Sequence, residues 1–231
     1  DDLKRLRTFK IKLVAQIMAS FVLLAFGIVF SSISLPGIGA IDLGWLGYPL
    51  TVVWIVALTN MFNFMDGLNG LAGGTAVTVA AFLCAVTFIE GSFFVYIICY
   101  IMAAGSAGFL VFNFPRAQLF MGDVGSQFLG FSFAALAVIA AEIDASRTSF
   151  LVVPLLFFNF IFDTTFTLCR RAIRREDVTQ AHRMHLYQLL NQIGWSHTQV
   201  SLFHFCVTAA QGVGALIMID HGPDSRMLVF L

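Results

Sequence analysis

Leu71-Ala-Gly-Gly-Thr-Ala-Val-Thr-Val-Ala-Ala-Phe-Leu-Cys-Ala-Val-Thr-Phe-Ile89 carries no charged side chain. Wound as a helix it is long enough to cross a hydrocarbon core of ~30 Å, which takes about 20 residues. Outward from it, uncharged stretches recur at 13–31, 49–65, 93–114, 124–141 and 198–219, and a further one at 149–169 is interrupted only by Asp163. The stretch 49–65 is the weakest, opened by Pro49 and broken by Thr59, Asn60 and Asn63. Between the first two, residues 32–43 alternate apolar with small or polar side chains around Pro36-Gly37, the pattern of a short surface hairpin. The expected fold is therefore all-α: a polytopic integral membrane helix bundle with about seven complete spans and a short surface β-hairpin.

Composition agrees. Hydrophobic residues make up 59% of the 231 and charged residues 11%, with 26 Phe and a mean hydropathy of +0.88. So few charges cannot coat a water-soluble globule of this size, and lipid must serve as part of the solvent. A net charge of zero argues against a general nucleic-acid binder. Cys84, Cys99, Cys169 and Cys206 lie in apolar stretches without metal-ligand spacing and read as small hydrophobes. The chain opens on Asp1-Asp2 without an initiator Met and ends in Met227-Leu-Val-Phe-Leu231, like a span just beginning. It is expected to be a single transmembrane catalytic domain, 1–231, within a longer protein, with N-terminal spans absent and the last span cut short.

Charge bias orients the spans. Eleven of the thirteen Lys and Arg fall on one set of connections: Lys4, Arg5, Arg7, Lys10, Lys12, Arg116, Arg170, Arg171, Arg174, Arg175 and Arg183. Only Arg147 and Arg226 fall on the other. The positive-inside rule puts the first set in the cytoplasm, and alternation of spans puts Asp66-Gly67-Leu68-Asn69-Gly70 there too. The acids Asp1, Asp2, Asp66, Asp123 and Asp163 then lie at or just inside the same face. Carboxylates at membrane depth are expensive and mark sites, so a metal or phosphate site at the membrane–cytosol boundary is expected.

Each cluster has a plainer reading beside the functional one. Asp1-Asp2 with the following lysines and arginines is either a juxtamembrane helix end or a carboxylate pair with cations for a polyphosphate. Lys12 and Gln16, one turn apart, can face one groove. Asn60, Asn63 and Asp66 share a helical face at i, i+3, i+6, followed by Gly70-Leu-Ala-Gly-Gly74. Helix packing explains the glycines but not two amides and an acid at depth. Asn113-Phe-Pro115 closes one span and Gly122-Asp123-Val-Gly125-Ser126 opens the next, with Asp123 at a helix start where a dipole-favoured cap is the plain alternative. Asp163 is as compatible with a snorkelling Arg170 or Arg171 as with a functional acid. His182-Arg183-Met184-His185 suits phosphate or sugar better than zinc, for which no third soft ligand is near.

Three motifs carry a resemblance: Asn63-Phe-Met-Asp66-Gly-Leu-Asn-Gly-Leu71, Phe120-Met-Gly-Asp123-Val-Gly-Ser126, and Asp1-Asp2 with Lys12-Leu-Val-Ala-Gln16. Together they are similar to the polyprenyl-phosphate N-acetylhexosamine-1-phosphate transferases. The run His182-Arg-Met-His-Leu-Tyr-Gln188 resembles the branch that initiates O-antigen synthesis, a part of lipopolysaccharide biosynthesis. The likeness covers essentially the whole chain. It implies a bacterial inner-membrane enzyme, active on the cytoplasmic face, that moves N-acetylhexosamine-1-phosphate from a UDP-sugar to undecaprenyl phosphate and releases UMP. It also implies catalytic Asp1, Asp2 and Lys12, a Mg²⁺ (or Mn²⁺) ligand in Asp123, and substrate contacts from Asn63, Asp66, Phe120, His182, Arg183 and His185. Phe120 would stack on the uracil. Undecaprenyl phosphate, the UDP-N-acetylhexosamine and membrane lipid are the partners expected, with a homodimer left open. Asn69 stands where many relatives have a second acid, and Tyr187-Gln188 stand where others have more histidines. Those two are expected to meet the sugar's hydroxyl or acetamido groups. A transporter or flippase for ions or lipid-linked sugars is the alternative class, since broken helices and buried acids serve it too.

Overall fold

The computed structural model describes residues 2–35, 39–144, 148–177 and 183–220, with side chains from 9 to 33, 41 to 144, 148 to 177 and 183 to 219. Nine α-helices are described: α1 (Asp2–Ala25), α2 (Gly47–Phe64), α3 (Leu71–Glu90), α4 (Phe93–Asn113), α5 (Gly122–Val138), α6 (Val152–Leu156), α7 (Phe158–Ile173), α8 (Leu186–Gln192) and α9 (His197–Asp220). Strands β1 (Ser32–Leu35) and β2 (Gly39–Asp42) pair antiparallel, Ser32 opposite Asp42 and Leu35 opposite Gly39. That is the expected hairpin; its Pro36-Gly37 tip lies outside the described residues.

Five segments are long and apolar enough to cross a membrane: Gly44–Phe64, Leu71–Glu90, Phe93–Asn113, Gly122–Ile143 and His197–Ile219. The chain is a polytopic integral membrane protein. Two of the seven expected spans take other forms. The stretch 13–31 becomes the second half of α1, whose helix already begins at Asp2 and stops at Ala25. The stretch 149–169 is divided into α6 and α7 at Phe157. There the Asn159 side chain accepts the Phe160 amide at 3.0 Å while its Nδ2 reaches His204 and Thr208 of α9. A side chain that competes for backbone donors bends a helix at that point.

Small residues decide which helix is central. On α3, Gly73 leaves room for Phe109 of α4, and Gly74 for Phe205 of α9. Gly212 of α9 in turn receives Phe82 of α3. The packing role foreseen for the Gly70–Gly74 glycines is thus real, and α3 lies between α4 and α9. On the other side α5 packs on α2, where Gly130 abuts Thr59 and Phe62 and the Trp54 indole donates to the Ala134 carbonyl at 3.0 Å. A core of Phe62, Phe133, Phe157 and Phe160 joins α2, α5 and α7 in edge-on and tilted ring contacts. Many other Phe, such as Phe26, Phe88 and Phe93, are exposed, as lipid-facing positions should be. At the hairpin end the carboxylates take hydroxyl partners: Glu142 with Ser31, Glu90 with Thr148, and Asp144 with Ser92 at 2.7 Å.

Candidate active site

At the opposite end, three helices bring one polar residue each to the same level. Lys12 of α1 pairs with Asp123 in the first turn of α5. Asn63 of α2 donates to Asp123 Oδ1 at 3.1 Å and to Ser126 Oγ at 2.7 Å. One turn deeper lies a second, uncharged level: Gln16 donates to Gln127 Oε1 at 3.2 Å and accepts from Asn60 Nδ2 at 2.7 Å. Lys12 and Gln16 do share a groove. The periodicity of α1, α2 and α5 is what stacks a charged level on a neutral one, so each polar side chain of these two levels finds a partner.

Beyond Phe64 the chain leaves α2 and turns through residues 65–70 into α3. Gly70 adopts φ +80°, and a Cβ there would meet the Phe114 ring at 2.3 Å, so both conformation and space call for glycine. Asn113, the last residue of α4, clasps this turn. Its Oδ1 accepts the Gly70 amide and its Nδ2 donates to the Leu119 carbonyl, both at 2.7 Å. Asn69 is held by Ser201 Oγ on its carbonyl at 2.7 Å and donates to the Pro115 carbonyl at 3.3 Å. Asn63, Asp66, Asn69, Asn113, Phe120 and Asp123 thereby line one cleft. Phe120 offers an exposed ring at its rim.

Burial, and then the charge of Asp123, push Asp66 up to about 6. Two carboxylates therefore compete for positive charge in one cleft, and the Lys12 ammonium is engaged with Asp123. No group of three or more His, Cys, Asp and Glu suited to a metal occurs among the described residues. Two carboxylates with neighbouring amide oxygens nonetheless fit a hard cation such as Mg²⁺, which usually takes one or two protein carboxylates and completes its shell with phosphate and water.

The remaining expected site residues separate. Asp1 and His182 lie outside the described residues; Asp2 begins α1, its side chain outside them. Arg183 is exposed just before α8. His185 is 3% exposed, with Nδ1 at 3.1 Å from Asp163, so its ring is held inside and does not line the cleft. Asp163 is bound by the 185–187 segment, while Arg170 donates to the Met184 carbonyl and Arg171 to Glu176. Tyr187 is buried and spends its hydroxyl on Phe64 and Gln188; burial pushes that hydroxyl's pKa upward, so it remains a donor. It is not placed to meet a sugar, because its partners are inside the protein. Asn113, Ser126 and Gln127 had no role assigned from the sequence. For Gln127 the signal was present: it stands four residues after Asp123, as Gln16 does after Lys12.

Residues 1–141 match the sequence model of the family described as Glycosyl transferase family 4. The chain is 31% identical over 211 residues to a Bacillus subtilis protein named "Probable undecaprenyl-phosphate N-acetylglucosaminyl 1-phosphate transferase", covering 90% of this chain and 59% of the relative. It is 31% identical over 242 residues to the decaprenyl-phosphate N-acetylglucosaminephosphotransferase of Mycobacterium tuberculosis, covering 95% and 60%. A phospho-N-acetylmuramoyl-pentapeptide-transferase of Synechococcus is 38% identical over 115 residues, 50% of this chain and 33% of the relative. The chain spans about three fifths of the length of the first two.

Proposed function

The chain belongs to glycosyl transferase family 4, and from that premise we propose that its cleft transfers an N-acetylhexosamine-1-phosphate from a UDP-sugar to undecaprenyl phosphate, releasing UMP. One observation carries this reading: Asn63, Asp66 and Asp123 come from separate elements to one cleft at the end of apolar helices, with Lys12 of a further helix paired to Asp123. A lipid phosphate and a soluble nucleotide sugar can meet only at such a boundary. The names of the relatives, which specify undecaprenyl or decaprenyl phosphate as acceptor, support the same acceptor class.

A phosphate monoester with a second pKa near ~6 is largely dianionic at neutral pH and needs little help from a base. Its oxygen attacks the sugar-bearing phosphorus directly, a P–O bond forms, and the bond to the bridging oxygen breaks with its electron pair leaving on UMP. Asp2, the first residue of α1, and Asp1, which precedes it in the sequence, orient the lipid phosphate. Lys12 balances charge on the diphosphate, Asn63 and Asp66 hold the nucleotide sugar, and Phe120 stacks on the uracil. Arg183, exposed ahead of α8, and the neighbouring His182 donate to the diphosphate, and His185 keeps that segment in place. Asp123, with Asp66 beside it, would hold Mg²⁺ or Mn²⁺, which supplies charge screening between the two anions and stabilises the leaving phosphate.

The charge bias supports a cleft on the cytoplasmic face, the bacterial relatives support a bacterial inner membrane, and an early membrane step of O-antigen or another envelope polysaccharide is the role we assign. The test incubates membranes bearing the full-length protein with UDP-N-acetylglucosamine, undecaprenyl phosphate and Mg²⁺. UMP release that requires all three is the expected result, and release independent of the lipid would overturn the reading. Exchange of labelled UMP into the UDP-sugar without lipid would instead show a covalent phospho-aspartyl route.

A further inference from the structure

Asp163 is 2% exposed, and no step above uses it. Its Oδ1 accepts the Leu186 amide at 2.8 Å and the Thr167 hydroxyl at 3.3 Å, and its Oδ2 accepts the Tyr187 amide at 3.0 Å. The His185 ring lies 3.1 Å away. An ionised carboxylate that collects this many donors is fixed in place, and here it ties the N-terminal end of α8 to α7. One residue into α8, Tyr187 is 1% exposed. Its hydroxyl donates to the carbonyl of Phe64, the last residue of α2, at 2.9 Å and accepts Gln188 Nε2 at 3.0 Å. Gly67 forms the other side of the seat, where a Cβ would stand 2.1 Å from that hydroxyl. Asp163 is thus connected through α8 and Tyr187 to the turn 65–70, which carries Asp66 and Asn69 to the cleft.

We propose that Asp163 and Tyr187 are positioning residues for this turn: Asp163 orients α8, and the Tyr187 hydroxyl, seated between Phe64 and Gly67, sets where Asp66 and Asn69 are presented to the nucleotide sugar. This rests on the transferase reading above. The 186–188 segment therefore acts on the substrate through the turn.

A double-mutant cycle in the full-length membrane protein tests it, read as UMP release with UDP-N-acetylglucosamine varied at saturating undecaprenyl phosphate. Tyr187→Phe leaves the Phe64 carbonyl and the Gln188 amide without their partner in a buried place, and kcat/KM should fall about tenfold. The fall should come mainly through KM for the nucleotide sugar, with KM for the lipid unmoved. Gly67→Ala should lose more, because its methyl group collides with the hydroxyl. Adding Tyr187→Phe to Gly67→Ala should then raise kcat/KM, the opposite sign to its effect alone. Asp163→Asn should repeat the Tyr187→Phe pattern of KM changes. An equal loss from Tyr187→Phe in both backgrounds, or a loss spread evenly over both substrates, would overturn the assignment. If the unaltered protein releases no UMP, the transferase reading has failed. Positioning is then judged by hydrogen exchange across residues 62–72: Tyr187→Phe should speed exchange there about tenfold while residues 93–113 stay unchanged. Unchanged exchange in the turn would sink the inference.

Discussion

Lys12 and Asp123 form an ion pair whose side chains are 34% and 57% exposed. Such a pair contributes less than about 1 kcal/mol to stability, so its presence in an apolar bundle argues for use in chemistry. Lys12→Met should leave the thermal midpoint of the detergent-extracted protein unmoved while UMP release falls by roughly 10²-fold, the scale of losing one charged transition-state contact. A midpoint that falls together with activity would assign Lys12 to structure. Asp123→Asn keeps the shape of the Asn63 contact but removes the charge a hard cation requires. It should reduce turnover to background with the protein still inserted, as measured by UMP release from membranes matched for protein amount.

Helices in this bundle are told apart by where glycine leaves a notch. A methyl group at Gly74 would lie 2.0 Å from the Phe205 ring, whereas one at Gly105 meets nothing within 4 Å. Gly74→Ala should therefore cost about 1–3 kcal/mol by overpacking the contact of α3 with α9. Gly105→Ala should be neutral or slightly stabilising, by up to ~1 kcal/mol, through helix propensity. Thermal melting in detergent separates the two, and equal behaviour would show that the α3–α9 contact is plastic. At the same scale, the division of 149–169 into α6 and α7 was beyond a hydropathy reading. An uncharged stretch looks continuous until Asn159 finds His204 and Thr208 on α9, partners about 45 residues later in the chain.

For the whole molecule, the hairpin and the cleft occupy opposite ends of the bundle, and the proposed orientation, with the cleft in the cytoplasm, is open to a direct test. With Cys169 and Cys206 changed to Ser, Trp45→Cys should react with a membrane-impermeant maleimide on intact cells and Arg116→Cys only after lysis; the reverse pattern would invert the topology. Membrane residence, the approximate spans, the hairpin and the choice of Asn63, Asp66, Lys12 and Asp123 as the polar groups to follow could all be read from the residues alone. Hydrophobic length is a local property, and an amide or charge inside an apolar run is conspicuous wherever the run ends up. Tertiary structure alone decided which polar groups meet. Asn113 clasping the turn, Gln127 completing the neutral level and Asp163 capping α8 each depend on a partner from another helix or loop. It also moved Tyr187 from an expected sugar contact to an internal support, because a hydroxyl in a membrane protein goes where an unpaired carbonyl is nearest, and here that carbonyl belongs to Phe64.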